Sequence, residues 1–220
     1  MLVVVLLSAC ASSTSGLLKT LKYAGDRWAG DGQVKPPDLR SGFRYLKVVV
    51  YGEASYLALG YLDPPPDRRD RSLVEVWYSM TGQSLRLKDG RLVGTAGLAT
   101  DWLDVRLDRA PDWNGIDGNG VDYERERDVM PGYRFRIRDR LRIRPVLPPA
   151  TTDLVDVDKA DLLWFEETVE ATTGDGLPRA YFGVLPGLGN WRVVYSFQCV
   201  SADFCLSTQS WPPESIAGAK

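Results

Sequence analysis

Residues 73–97 have the sequence LVEVWYSMTGQSLRLKDGRLVGTAG, in which three runs of alternating apolar and polar side chains are separated by two turns. The first turn contains Thr81-Gly82. The second is Asp89-Gly90, a dipeptide that is typical of two-residue β-hairpin loops. Because period-two alternation is typical of a strand with one buried face, the stretch predicts a three-stranded antiparallel meander.

Similar β-rich runs lie on both sides of this meander. They are residues 45–51, 55–62, 102–107, 133–144, 164–171, 180–185, 191–198 and 206–211. One short amphipathic helix is expected earlier, where apolar residues recur at intervals of three and four between Leu17 and Trp28. We therefore predict an all-β fold of mainly antiparallel meanders in a large sheet, a sandwich or a barrel-like arrangement, with a short N-terminal helix.

Composition excludes several classes of function. The chain has 220 residues, with 27 Lys and Arg against 29 Asp and Glu, and no histidine. A Ser-His-Asp triad and a histidine-based zinc site are therefore excluded, and a net charge of −2 argues against bulk binding of nucleic acid. The Asp-, Asn- and Gly-rich residues 112–122 lack the spacing of an EF-hand and predict a surface loop. We expect no catalytic residue, no metal, no cofactor and no nucleic-acid partner.

The N-terminus has features of an export signal. Residues 2–7 are apolar but too few to span a bilayer, and Leu7-Ser8-Ala9-Cys10 resembles the bacterial lipobox, in which the cysteine is lipidated after cleavage. We expect a truncated signal peptide and a lipid anchor on Cys10. The absence of aspartate after Cys10 favours the outer membrane, with the protein facing the periplasm. The alternative is a frayed apolar N-terminus with a buried cysteine.

The other two cysteines predict a disulfide. Cys199 and Cys205 are separated by five residues, and an even pair in an exported protein is typical of a disulfide that closes a short loop. We expect it to stabilise the fold by about 2 kcal/mol. A metal or redox pair is the alternative, although the spacing is not C-x-x-C and no second ligand cluster accompanies it.

Residues 133–144 alternate strictly. The odd positions are apolar apart from one aspartate, and the even positions are all arginine: Arg134, Arg136, Arg138, Arg140, Arg142 and Arg144. One extended strand would place the six guanidinium groups on one face, and a turn at residues 138–140 would instead make a hairpin whose arms share that face. Six like charges need carboxylate partners or an anionic ligand. We expect either pairing with Glu166, Glu167 and Glu170 of a neighbouring strand, or a binding face for an acidic polymer or lipid headgroups.

Several short motifs of the chain recur in one family of bacterial lipoproteins. In the first meander they are Trp77 on a strand, Asp89-Gly90-Arg91 at a turn, and Thr95-Ala96-Gly97 at the end. Further similarity lies in Cys10, in Tyr181-Phe182-Gly183, and in Trp191 followed by Tyr195-Ser196-Phe197-Gln198. These residues resemble the YjbF/GfcB family. The resemblance covers most of the mature chain and implies a β-rich outer-membrane lipoprotein that is encoded with capsule or exopolysaccharide machinery, without a defining catalytic motif.

The expected organisation is a signal over residues 1–9, an anchor spacer with the helix over 10–42, a single β-rich YjbF-like domain over 43–212 and a tail over 213–220. We expect a non-enzymatic lipoprotein that assists secretion or assembly of capsule or exopolysaccharide and binds an acidic polysaccharide or an export protein. One alternative is a polysaccharide-modifying enzyme that uses two carboxylates from Asp101, Asp104, Glu124, Glu126, Glu166, Glu167 and Glu170. The other is a purely structural envelope protein.

Overall fold

A computed structural model describes residues 39–64, 73–170, 176–187 and 191–213. The predicted signal, Cys10 and the predicted helix between Leu17 and Trp28 lie outside these residues. Within them, no helix is long and apolar enough to cross a membrane. The helical segments of this described part are two 3-10 turns, Trp113–Gly115 and Lys159–Asp161.

Twelve strands form one antiparallel sheet in the described part of the chain. In chain order they are β1 (Tyr45–Val50), β2 (Glu53–Asp63), β3 (Val74–Tyr78), β4 (Ser84–Lys88), β5 (Arg91–Ala96), β6 (Asp101–Asp108), β7 (Val121–Met130), β8 (Arg134–Val146), β9 (Leu163–Glu170), β10 (Ala180–Leu185), β11 (Arg192–Cys199) and β12 (Cys205–Trp211). Their spatial order is β5-β4-β3-β2-β1-β12-β11-β10-β9-β8-β7-β6. The sheet is thus one long meander in which β1 and β12, the first and last strands, pair with each other.

A tight turn brings the two edge strands, β5 and β6, together. The Asp101 carboxylate accepts hydrogen bonds from the backbone N–H groups of Gly97 at 2.9 Å and Leu98 at 3.0 Å. The backbone N–H of Trp102 donates to Thr95 Oγ1 at 2.9 Å. The sheet therefore curls into a nearly closed, barrel-like shape, so the all-β antiparallel prediction is confirmed in its barrel-like form.

The strand β7 was not predicted from the sequence. Its inward positions include Tyr123, Arg125 and Arg127, all of which are buried. Charged side chains therefore occupy both faces of β7, and the alternation of apolar and polar residues that identifies a strand is lost. β8 is one continuous strand of 13 residues, so the alternative turn at residues 138–140 is wrong.

Apolar side chains fill the inside of the sheet in two clusters. One of them contains Trp102, and the other contains Trp113 and Phe182. Trp113 comes from residues 112–122, for which the sequence predicts a surface loop. That prediction is wrong for Trp113 and Ile116, which are 4% and 8% exposed. The loop turns inward because the Trp113 ring packs on Phe165 and Phe182, at centroid distances of 5.4 and 5.0 Å.

Residues 147–162 cross the outer face of the sheet, and we call this segment the strap. The Gln209 side chain on β12 accepts a hydrogen bond from Val155 N at 3.0 Å and donates one to Val155 O at 2.7 Å. The strap contributes Leu154 to a third apolar cluster, in which the rings of Trp164 and Tyr195 lie 5.7 Å apart. These contacts hold the strap against β9, β11 and β12.

The turns between consecutive strands lie alternately at the two ends of the sheet. Tyr45 begins β1 at one end, and the antiparallel pairings from β1 through β12 to β7 make β7 run in the same direction as β1. The turn between β7 and β8 therefore lies at the end opposite to Tyr45. We call that opposite end the distal end.

Candidate functional site

All six arginines of β8 are exposed, and we call them the arginine face. The strand register places Arg138, Arg140, Arg142 and Arg144 on the outer face of the sheet, whereas Arg134 pairs with the buried Val129, so the predicted common face is wrong at Arg134. The exposed fraction of the side chain is 77% for Arg138, 65% for Arg140, 46% for Arg142 and 55% for Arg144. Arg134 and Arg136 are exposed as well. The residues between them from position 139 onward point inward and are buried: Asp139, Leu141 and Ile143. The alternation predicted from the sequence therefore separates a charged outer row from the core.

Carboxylates of β9 pair with one end of the arginine face. Arg144 Nη2 lies 3.1 Å from Glu166 Oε1, and Arg140 Nη1 lies 3.8 Å from Glu170 Oε2. The predicted pairing with β9 is confirmed for these two glutamates. It is wrong for Glu167, which lies on the other face of β9 and contacts interior side chains.

The strand β7 provides a second row of carboxylates. Arg142 Nη1 lies 2.8 Å from Asp122 Oδ1, and Arg138 Nε lies 3.3 Å from Glu126 Oε2. Opposite charges that face each other across a strand pair are stabilising. The sequence prediction missed this row of carboxylates. Its signal is nevertheless simple, since every second residue of the strand is acidic: Asp122, Glu124, Glu126 and Asp128.

Glu166 is buried beneath three hydrogen-bond donors. Arg144 Nη2, Arg179 Nη1 and the Tyr181 hydroxyl each donate to its carboxylate at 3.1 Å. Burial acts to raise the pKa of Glu166, but these hydrogen bonds and the charge of Arg179 together outweigh it and hold the pKa below its usual range. The carboxyl therefore stays ionised near neutral pH and fixes Arg144 beside β9.

Charged side chains also lie in the interior, beneath the arginine face. The Asp139 carboxylate accepts hydrogen bonds from Arg127 Nε at 2.7 Å and Arg125 Nε at 2.9 Å. All three residues are at most 6% exposed, and the Arg125 guanidinium lies 4.7 Å from the ring centroid of Trp102. Burial acts to raise the pKa of Asp139, but the bonds and charges of the two arginines outweigh it and hold the pKa below its usual range.

A second interior contact joins β7 to β9. The Tyr123 hydroxyl donates a hydrogen bond to Glu167, and Arg125 Nη1 lies 3.9 Å from Glu167 Oε1. Burial, with the nearby charge of Glu167, raises the pKa of Tyr123, so the hydroxyl keeps its proton. The two interior contacts share Arg125 and form one polar network across β7, β8 and β9.

The arginine face ends beside two exposed aromatic rings at the distal end. Tyr133 is 74% and Phe135 is 56% exposed, and their ring centroids lie 6.5 Å apart. A hollow of about 210 Å³ adjoins them, and its lining residues are Asp104, Arg106, Glu126, Asp128, Phe135 and Arg136. Sequence reasoning missed this hollow because Tyr133 and Phe135 fit the apolar face of the alternating strand.

The predicted disulfide is confirmed. Cys199 and Cys205 are bonded at 2.01 Å and face each other in register across β11 and β12. The bond closes the β11–β12 turn, where Phe204 packs against Tyr51 with ring centroids 5.9 Å apart. Cys10 lies outside the described residues, so its lipidation stays a prediction.

Comparison with known proteins now gives the chain a family. Residues 46–204 match the family described as group 4 capsule polysaccharide lipoprotein gfcB, YjbF. The chain belongs to the YjbF family. Its members are lipoproteins associated with capsule polysaccharide, which implies a location in the cell envelope.

A solved structure of similar fold is that of the hypothetical lipoprotein YmcC from Escherichia coli (K12). It is 17% identical, the alignment covers 94% of this chain and 100% of that chain, and the TM-score is 0.56. At this identity the likeness shows the fold alone. No curated protein matches the sequence significantly.

The YjbF motif Asp89-Gly90-Arg91 serves the fold. The backbone carbonyl of Asp89 accepts a hydrogen bond from the Trp113 indole at 3.0 Å, and that of Gly90 accepts one from the Gln198 amide at 2.9 Å. The Arg91 guanidinium lies 4.0 Å from the ring centroid of Trp113. The motif thus docks the β4–β5 turn of the YjbF fold against the β6–β7 loop and β11.

Most of the carboxylates considered for a polysaccharide-modifying enzyme lie in separate environments. Asp101 binds the β5–β6 turn, and Glu166, Glu167 and Glu170 make the contacts described above. Glu124 borders a second hollow of about 270 Å³. The structure brings two of the candidates together, because Asp104 and Glu126 both line the distal hollow.

Proposed function

We propose that this YjbF-family protein is a non-enzymatic lipoprotein of the outer membrane that faces the periplasm and assists secretion or assembly of capsule polysaccharide. In this proposal, the arginine face of β8 binds an acidic glycan. The observation that carries it is the row of six exposed guanidinium groups on one strand of a capsule-associated lipoprotein. A planar guanidinium group suits carboxylates and phosphates because it donates two parallel hydrogen bonds.

The length of the arginine face suits an extended polymer. Six residue steps separate Arg138 from Arg144 in the regular part of β8, which corresponds to about 20 Å along a strand. A chain of several acidic sugar units can therefore contact more than one guanidinium group at a time. Repeated weak contacts of this kind raise the overall affinity without any single strong contact.

The ion pairs of the arginine face do not prevent such binding. Arg138, Arg140 and Arg142 keep between 46% and 77% of their side-chain exposure while they are paired. Exposed ion pairs contribute about 0 to 1 kcal/mol each, so a polyanion can replace the carboxylate partners at little cost. Because the neighbouring carboxylates of β7 and β9 compete with the ligand, we expect moderate affinity that depends strongly on salt.

The proposed anchor agrees with the direction of the chain. Lipidation at Cys10 would attach the protein through the part of the chain that precedes β1. β1 begins at Tyr45, and the distal end is the opposite end of the sheet. The β7–β8 turn therefore lies at the end of the sheet opposite to the start of β1. Several acyl chains give stable anchoring, since one chain alone binds only marginally.

A complementation experiment tests this proposal in cells. A strain of the source organism that lacks the gene is given the wild type, Cys10→Ser, or the triple variant R138Q/R140Q/R142Q, and surface capsule is measured. We expect Cys10→Ser to abolish outer-membrane association, and we expect both variants to lower surface capsule, the first because the anchor is lost and the second because glycan binding is lost. Full capsule with the triple variant would contradict the role of the arginine face.

A matched control separates the position of the charges from their number. Arg44 before β1 and Arg192 on β11 are exposed, and Arg86 on β4 is half-buried; Arg44 and Arg86 also make ion pairs, with Glu75 and Asp63. The triple variant R44Q/R86Q/R192Q therefore removes the same number of charges away from β8, and it should restore capsule as the wild type does. The purified protein should leave the length distribution of the polysaccharide unchanged, whereas shortened chains would favour the enzyme alternative.

A further inference from the structure

The hollow at the distal end has a different chemistry from the arginine face. Its wall contains the exposed Phe135 ring, two arginines and three carboxylates. We propose that this hollow is a binding site for one neutral sugar ring. The inference rests on the proposed function, because it names a second kind of sugar unit that the same polysaccharide would present to the protein.

The local backbone creates the hollow. The pairing of β7 with β8 shifts register between Arg127 and Val129, and Arg136 has a positive φ of 54°. The Asp128 carboxylate accepts a hydrogen bond from the backbone N–H of Arg136 at 2.7 Å, which holds this irregularity in place. In a regular strand, Phe135 and Arg136 would point to opposite faces, but here both line the same hollow.

The Phe135 ring supplies an apolar surface for a sugar. A pyranose ring has one face made mostly of C–H groups, and burying that face against an aromatic ring removes apolar surface from water. Phe135 is 56% exposed, and Tyr133 lies beside it with 74% exposure. Phe135 therefore offers exposed aromatic area that a sugar in the hollow can cover, and Tyr133 offers more beside it.

The charged residues supply partners for hydroxyl groups. Arg106 lies 3.1 Å from Asp104 and 3.6 Å from Glu126, so each carboxylate is oriented by a guanidinium group. A carboxylate has about four acceptor positions, which leaves room for hydroxyl donors of a sugar. Among the described residues, Arg136 has no ion-pair partner, so its guanidinium can donate to hydroxyl or ring oxygens.

The balance of charge selects a neutral sugar. Three carboxylates face the hollow, namely Asp104, Glu126 and Asp128, against the two guanidinium groups of Arg106 and Arg136. A uronic acid placed there would meet a net negative surface, and like charges repel. A neutral hexose is not repelled by these carboxylates, because it carries no charge and its hydroxyl groups can donate hydrogen bonds to them.

The hollow is continuous with the arginine face. Glu126 lines the hollow and also pairs with Arg138, at 3.3 Å. A polysaccharide that contains both acidic and neutral units can therefore lie along β8 with one neutral unit at the distal end. Such a two-part site selects a repeating unit rather than charge alone.

The test uses fragments of the capsule polysaccharide of the source organism. Partial hydrolysis gives oligosaccharides that anion exchange separates into neutral and acidic pools, and isothermal titration measures their binding to the full-length protein in detergent micelles. We expect a neutral fragment to bind the wild type with an affinity that changes less than about twofold between low and high salt. A neutral ligand forms no contact between opposite charges, so salt has nothing to screen. Absence of binding by every neutral fragment would overturn the proposal.

Two variants make the result specific. Phe135→Ala should weaken binding of the neutral fragment by about tenfold or more, because it removes the aromatic surface. Phe43→Ala is the control, because Phe43 is also 56% exposed and precedes β1 at the other end of the sheet. An equal loss in both variants would overturn the site assignment, and far-ultraviolet circular dichroism verifies that each variant is folded.

The two proposals fail in different ways. The triple variant R138Q/R140Q/R142Q should lose binding of acidic fragments and keep binding of the neutral fragment. If the neutral fragment binds but acidic fragments do not, the arginine face is refuted and the hollow stands. If only acidic fragments bind, and Phe135→Ala binds them as the wild type does, the hollow is refuted and the arginine face stands.

Discussion

Two arginines and one aspartate occupy the interior of this sheet, where charged side chains are seldom buried without partners. Arg125 and Arg127 each donate to the Asp139 carboxylate through Nε, at 2.9 and 2.7 Å, and Trp102 covers the guanidinium groups. A buried ion pair of this kind adds little net stability, but removing one partner leaves an uncompensated charge. The intact network therefore adds little to the free energy of unfolding, but removal of one partner should lower that free energy strongly.

We predict a large loss of stability when the aspartate is neutralised. Asp139→Asn keeps the volume of the side chain but leaves the buried Arg127 guanidinium without its counter-charge and Arg125 with Glu167 alone, so the free energy of unfolding should fall by about 3 kcal/mol. Urea unfolding followed by tryptophan fluorescence measures this change. The control is Asp122→Asn, whose side chain is 60% exposed in its pair with Arg142 and which should cost less than about 1 kcal/mol. Similar losses in the two variants would contradict the burial argument.

The lowered pKa of Asp139 gives this loss a pH dependence. A carboxyl whose pKa is depressed in the folded state adds stability above its unfolded pKa of about 4, and that stability disappears as the pH falls through the folded pKa. The difference in unfolding free energy between the wild type and Asp139→Asn should therefore stay constant from pH 7 to about 5 and shrink at lower pH. A difference that grows on acidification would contradict the assignment.

The Asp89-Gly90 turn allows a second prediction for single residues. A Cβ at Gly90 would lie 2.4 Å from the Cβ of Val193, and φ there is +76°. Gly90→Ala should therefore cost about 3 kcal/mol in unfolding free energy, from steric overlap as well as backbone strain. Gly82→Ala is the control, since φ is +90° but nothing lies within 4 Å. Gly82→Ala should cost about 1 kcal/mol in unfolding free energy. An equal loss at both sites would show that Val193 moves aside, and it would contradict the predicted steric overlap.

At the scale of elements, eleven of the twelve strands follow from sequence patterns, and β7 shows why one does not. Strands with an apolar inner face, such as β1 and β4, are recognisable because local alternation reports the burial of each side chain. The inner face of β7 carries Arg125 and Arg127, which are stable there only because Asp139 on β8 meets them. That contact depends on strand pairing, which local sequence does not determine. The acidic outer row of β7 could nevertheless have been recognised, because acidic residues occupy every second position of the strand.

The strap gives a prediction at the same scale. Gln209→Ala removes both hydrogen bonds to Val155, so the strap should open more often while the sheet remains intact. Hydrogen exchange followed by mass spectrometry should show exchange about tenfold faster in residues 150–158 and unchanged exchange in β11 and β12. Ser210→Ala on the opposite face of β12 is the control. Uniformly faster exchange across the whole sheet would contradict a local role for Gln209.

At the scale of the whole molecule, a net charge of −2 conceals an ordered arrangement of charge. The arginine face lies between the acidic row of β7 and the glutamates of β9, and the distal hollow lies at its end. The sequence identified the six arginines and the common outer face of Arg138, Arg140, Arg142 and Arg144. It did not identify β7 as a partner, because that depends on strand pairing, or Phe135 as a wall of the hollow, because that depends on the register shift between β7 and β8.

The central claim is that the arginine face binds an acidic glycan, and the affinity for polygalacturonate at two salt concentrations tests it most directly. Between about 50 mM and about 300 mM NaCl, the affinity of the wild type should fall by about tenfold or more, since screening weakens contacts between exposed charges. The triple variant R138Q/R140Q/R142Q should bind weakly at both concentrations, and R44Q/R86Q/R192Q should behave as the wild type does. Absence of binding by the wild type, or the same salt dependence in both triple variants, would contradict the claim.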